Sequence, residues 1–173
     1  MTIALALVLV ASFVAAIADI RTRRVPNVLC AALFVSGLAL SAFSGWQAAA
    51  VDLAIAAIVI VLGTFAFSMK LIGGGDVKLL AAAAGTLGYP AGAAFLLFTL
   101  LCGGIVGIAF AALRGRLAGT FSNVRAMALP VFAGVAPVRP QAGLAMPYAV
   151  AIFTGAICTA LVNGLLPHLR ILP

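Results

Sequence analysis

A chain of 173 residues that is 66% hydrophobic and 8% charged, with a mean hydropathy of +1.33, has too little polar surface to cover a water-soluble domain, so lipid must solvate much of it. The net charge of +7 is no nucleic-acid footprint, because the ten Lys and Arg stand in short groups between apolar runs, where they orient helices and meet anionic headgroups. Cys30, Cys102 and Cys158 lack Cys-x-x-Cys spacing and read as small buried hydrophobes, and the single His168 excludes a His-based metal cluster or a Ser-His pairing near the other polar residues.

The first apolar run, residues 2–18, has no basic residue before it and Arg21, Arg23 and Arg24 after it. That is the reverse of an export signal, so the run is expected to be retained as a helix. A second run covers 28–44 and ends at Ser44-Gly45; a third covers 48–69 and ends at Lys70. After Gly73-Gly74-Gly75, a fourth runs only from Val77 to Gly88, where Gly88-Tyr89-Pro90 signals a turn. A span takes about 20 residues, so this segment is predicted to be short or re-entrant. A fifth run covers 91–113. The stretch from Arg114 to Leu144, with Arg116, Arg125, Arg139, Pro130, Pro137 and Pro140, reads as interfacial, and a sixth run covers 145–166. The expected fold is an all-α, polytopic transmembrane bundle of about six membrane segments, in a single domain over 1–173.

Basic residues favour the cytosolic side of a bacterial inner membrane. Placing the loop after the first helix there gathers Arg21, Arg23, Arg24, Lys70, Lys78, Arg114, Arg116, Arg125 and Arg139 on one face and leaves Arg170 on the other. Both termini are then predicted outside. Asp19 and Asp76 arrive together at the cytosolic boundary.

These two and Asp52 are the acidic residues of the chain. Asp52 is expected to open the third helix near the outer face, where the helix dipole favours a carboxylate. Asp19 lies at the end of the first helix and Asp76 at the start of the fourth. Composition alone does not separate a working pair from interfacial aspartates neutralised by Arg21, Arg23, Arg24 and Lys78. The flanking residues do. Gly73-Gly74-Gly75-Asp76 leads an almost bare backbone into a carboxylate, room for an extended substrate to lie alongside. In Val25-Pro26-Asn27 the proline sets the entry to the second helix and the asparagine is expected to cap it. Lys78 reads equally well as a substrate contact and as a lysine snorkelling to headgroups.

Asp19 with Val25-Pro26-Asn27, then Gly73-Gly74-Gly75-Asp76-Val77-Lys78-Leu79, then Pro147-Tyr148-Ala149-Val150-Ala151-Ile152 before Gly155, make a chain that resembles the type IV prepilin peptidases, GxGD-type membrane aspartic peptidases. It is most similar to their short form, which serves Flp, or tight-adherence, pili. The resemblance implies that Asp19 and Asp76 are catalytic and cleave the basic leader of a prepilin, or of a pseudopilin, at the cytosolic boundary. It also suggests Gly73, Gly74, Gly75, Lys78, Pro147 and Tyr148 as substrate contacts. Long forms carry a cytosolic domain with paired Cys-x-x-Cys motifs and N-methylate the mature pilin; without those motifs only the peptidase is expected. No metal, nucleotide or other cofactor is required, because two close carboxylates share one proton and can act as acid and base. Helix polarity favours a charged Asp76 and a protonated Asp19. Anionic phospholipid is an expected partner and nucleic acid is not. The alternatives are a small proton- or cation-coupled transporter using Asp19 and Asp76, which predicts an inverted repeat that is not found, and a structural assembly subunit, which leaves the aspartate motifs without a role.

Overall fold

The computed structural model describes residues 3–69, 71–113, 115 and 148–165. Among these, all regular structure is helical: α1 (Ile3–Thr22), α2 (Asn27–Ser44), α3 (Trp46–Ser68), α4 (Gly74–Leu87), α5 (Ala91–Leu113) and α6 (Tyr148–Leu165). The interfacial segment expected from Arg114 to Leu144, apart from Gly115, lies outside the described residues, as do Lys70, Pro147, His168 and Arg170.

Among the described residues, four helices are long and apolar enough to cross a bilayer: α1, α2, α3 and the Ala91–Ala109 part of α5. The apolar part of α6, Tyr148–Asn163, is shorter. With 14 residues, α4 reaches about 21 Å at 1.5 Å per residue, against a hydrocarbon core of about 30 Å. The short fourth segment expected from sequence is therefore present. The helices run a few residues past the apolar runs, with α4 beginning at Gly74 and α1 continuing to Thr22, and Asp19 lies at the end of the first helix and Asp76 at the start of the fourth, as expected.

The six helices divide by what surrounds them. Eleven of the 14 residues of α4 are buried, from Asp76 through Leu87 with Lys78 the exception, whereas α3 buries only Ala56 and Val59 among 23. The run Ala81-Ala82-Ala83-Ala84 makes α4 slim enough for neighbours to close on it from several sides. Across the α2–α4 crossing, the Thr86 hydroxyl donates to the Leu33 carbonyl at 3.2 Å, so that a buried hydroxyl finds its partner in the adjacent helix. Outward on α3, Val61, Leu62 and Phe65 are exposed, as an apolar face solvated by acyl chains should be.

The core joins Leu5 and Val8 of α1, Leu79 of α4, Phe95 of α5 and Ile152 of α6. Phe13 and Phe153 pack tilted, with ring centroids 5.3 Å apart, and help hold α1 against α6. Between α5 and α6 the thiols of Cys102 and Cys158 approach to 3.9 Å. The sequence spacing gave no hint of that pair, because 56 residues separate them along the chain.

Candidate active site

The last turn of α1 carries Asp19, and the chain then leaves the helix through Arg23, whose φ of 53° is left-handed. Glycine usually fills such a terminating position; a residue with a Cβ costs about 1–2 kcal/mol there. The Arg23 N–H still donates to the Asp19 carbonyl at 2.8 Å, and the Thr22 hydroxyl donates to the Ala18 carbonyl at 2.9 Å, so the end of α1 is pinned from both backbone and side chain. Pro26, extended at φ −63° and ψ 124°, then starts α2. Asn27 makes no cap hydrogen bond, contrary to the sequence expectation. It is the first helical residue, one position too late to cap, and its Oδ1 accepts from Lys78 Nζ at 3.0 Å.

Asp76 is the third residue of α4, and Gly73 precedes the helix in an extended conformation. From that position a side chain can reach back to the amide that begins the helix, half of a capping box. The Asp76 carboxyl lies back against Gly73 in this way, near enough for that backbone amide to favour its charged form. The geometry also explains two of the glycines. A Cβ on Gly73 would stand 2.7 Å from Asp76 Oδ2, and one on Gly75 would stand 3.1 Å from the Val25 Cβ. The glycine run is thus used by the fold's own close approaches, beyond the open backbone expected from sequence.

Asp19 and Asp76, each only 8% exposed, line one cavity of about 270 Å³ together with Arg23, Arg24, Val25, Asn27 and Gly73-Gly74-Gly75. Their surroundings differ. Asp19 Oδ2 accepts the backbone N–H of Ala149, in the first turn of α6, at 3.3 Å. Asp76 Oδ1 is buried without a partner among the described residues. Burial, and after it the charge of Asp19, push the Asp76 carboxyl up to about 6, with the Gly73 N–H opposing. Asp76 is therefore held toward its protonated form: burial and the neighbouring carboxyl outweigh the polarity of its own helix, which alone favours the charged form expected from sequence.

Among the remaining site candidates, Gly73, Gly74 and Gly75 line the cavity, whereas Lys78 is exposed and turned to Asn27. Tyr148 lies in the first turn of α6, beside Ala149, with its phenol against Gly103 of α5. Pro147 is outside the described residues. Sequence reasoning missed the Ala149 amide, for a backbone donor leaves no side-chain signature. Among the described residues no group of three or more His, Cys, Asp and Glu gathers.

Asp52 is elsewhere. It is the seventh residue of α3, not its opening residue, and the Ser41 hydroxyl of α2 donates to its Oδ2. Its Oδ1 faces Gly88, beyond the far end of α4 from Asp76.

Comparison with known protein families matches residues 6–108, more than half of the chain, to the type IV leader peptidase family. The match runs from α1 into α5 and includes both cavity aspartates. No curated protein and no solved structure matches.

Proposed function

The chain belongs to the type IV leader peptidase family, and we propose that it is an aspartic endopeptidase that removes the basic leader of Flp-type prepilins, with Asp19 and Asp76 as its catalytic pair. The observation that carries this reading is one cavity shared by two buried carboxyls, one anchored by an amide and the other holding an unpartnered oxygen. A buried carboxyl oxygen without a partner costs about 1–3 kcal/mol, and a substrate carbonyl would relieve that cost.

Protonated Asp76 donates to the scissile carbonyl oxygen while Asp19 takes a proton from the attacking water. The water oxygen bonds to the carbonyl carbon, giving a tetrahedral diol. The proton held by Asp19 then passes to the leaving nitrogen as the C–N bond breaks, and Asp76 recovers its own. The pair ends in its starting state.

Arg21, Arg23, Arg24 and Lys78 flank this end of the bundle, which supports placing the cavity at the cytosolic boundary of a bacterial inner membrane with both termini outside. Arg23 and Arg24 also engage anionic phospholipid, whose headgroups offset repulsion between a basic leader and a basic rim. The test is leader cleavage of a co-expressed Flp-type prepilin, read as a gel mobility shift. Wild type is expected to cleave, and Asp19→Asn and Asp76→Asn to leave the precursor intact at normal membrane abundance. Full cleavage by either variant would overturn the pair.

A further inference from the structure

We infer that the first turn of α6 is a positioning element for the catalytic pair: the Ala149 amide holds the Asp19 carboxyl in place. This rests on the proposed peptidase reading and extends it to a part of the chain beyond the residues matched to the family.

The first amides of a helix have no partner inside it, and usually a side chain just ahead of the helix accepts from the second or third of them. For α6 that acceptor comes from another helix, 130 residues earlier: Asp19 Oδ2, at 3.3 Å from Ala149 N. Both ends of the contact are buried, Ala149 at 0% and Asp19 at 8% exposure, so water does not compete freely for it. An amide at the positive end of a helix stabilises an acceptor that carries charge. The turn itself is seated from behind: on α5, Gly103 leaves room for the Tyr148 ring, and a Cβ there would lie 3.2 Å from the phenol oxygen. On this reading, Tyr148 acts through α6 and not by touching substrate.

The test exploits the one residue that deletes an amide hydrogen. Proline is tolerated in a first helical turn, so Ala149→Pro removes the donor, while Ala149→Gly keeps it. Charged and titratable groups around the pair are Asp76 and Lys78 on α4, Arg23 and Arg24 beside α1, Cys30 on α2 and Tyr148 on α6. All persist in both variants, so a difference between them isolates the amide. With full-length protein in lipid vesicles and a Flp-type prepilin, kcat should fall roughly tenfold in Ala149→Pro at unchanged KM, by misplacement of a reacting group, and Ala149→Gly should keep the wild-type kcat. Equal losses in the two variants, or a loss carried by KM alone, would mean that the turn is merely structural and would overturn the inference.

If wild type cleaves no prepilin, the peptidase reading fails and the inference is still decided, at fixed pH, by the infrared frequency of the Asp19 carboxyl band in an Asp76→Asn background, which reports its hydrogen bonding. There Ala149→Pro should move the band and Ala149→Gly should not, and an unmoved band in Ala149→Pro overturns the inference. Should Ala149→Pro fail to accumulate in membranes, Gly103→Leu, which displaces the same turn through Tyr148, should shift the band in the same direction; no shift there also overturns it.

Discussion

Each end of α4 brings an aspartate against a glycine, yet the two ends are built differently. At the C-terminal end, Asp52 of α3 lies beside Gly88, is half-buried, and takes the hydroxyl proton of Ser41. At the N-terminal end, Asp76 is buried, reaches back to Gly73, faces a second carboxyl and leaves Oδ1 unpartnered. The negative end of a helix disfavours a carboxylate and the positive end favours one. Asp52, near the unfavourable end, is matched with a donor. Asp76, near the favourable end, is left incomplete. On the proposed reading, Asp52 is satisfied by the fold, whereas the free Asp76 Oδ1 is left for a substrate.

The largest expected effect breaks or upholds that contrast directly. Asp76→Asn should lower prepilin cleavage by at least ~100-fold, the usual scale of a lost general acid, and Asp19→Asn should do the same. Asp52→Asn, which keeps an acceptor for Ser41, should cleave within about twofold of wild type. Equal losses at the two ends of α4 would end the distinction.

Next in size is pH dependence. With its carboxyl raised to about 6, Asp76 loses its proton as pH rises through that value, and the acid form needed to polarise the carbonyl is depleted. The second-order rate constant kcat/KM, which reports the free enzyme, should therefore fall about tenfold per pH unit above that limb. Asp52→Asn should leave the limb where it is. A limb moved by Asp52→Asn would mean that the far end of α4 tunes the cavity.

The two glycines should separate activity from stability. In Gly73→Ala the new methyl group would stand 2.7 Å from Asp76 Oδ2, so the carboxyl must turn away. Cleavage should fall roughly tenfold, by misplacement of a reacting group, with thermal unfolding in detergent little changed. Gly88 has φ 66° and ψ −171°, a region essentially confined to glycine. Gly88→Ala should therefore cost about 1–3 kcal/mol of stability, with activity per folded molecule retained.

Much of this was legible in the sequence, for identifiable reasons. Apolar runs bounded by charges and glycines located the helices of the described residues, and the flanking Val25-Pro26-Asn27 and Gly73-Gly74-Gly75 singled out Asp19 and Asp76. What escaped depended on partners distant along the chain. Ser41 for Asp52, Lys78 for Asn27 and the Ala149 amide for Asp19 are tertiary contacts without local sequence signatures. The raised Asp76 carboxyl escaped because burial and the nearby Asp19 charge, which outweigh the polarity of its own helix, are also tertiary. Helix limits shifted by several residues because hydropathy stops at a charge whereas backbone hydrogen bonding does not: Arg23 still donates to the Asp19 carbonyl.

The smallest effect is expected at Ser41. Its hydroxyl also approaches the Gly37 carbonyl, at 3.2 Å, so Ser41→Ala deletes a donor from Asp52 without exposing new polar atoms on α2. Asp52 is half-buried and can recruit water in its place, which limits the cost to about 1 kcal/mol of stability, the net worth of one hydrogen bond. Thermal unfolding of the purified variant should show a shift of a few degrees, and cleavage should be unchanged. A tenfold loss of cleavage at normal stability would reveal coupling along α4 from Gly88 to Asp76. The slim alanine run would then be a lever between the two ends, and the satisfied aspartate would belong to the mechanism after all.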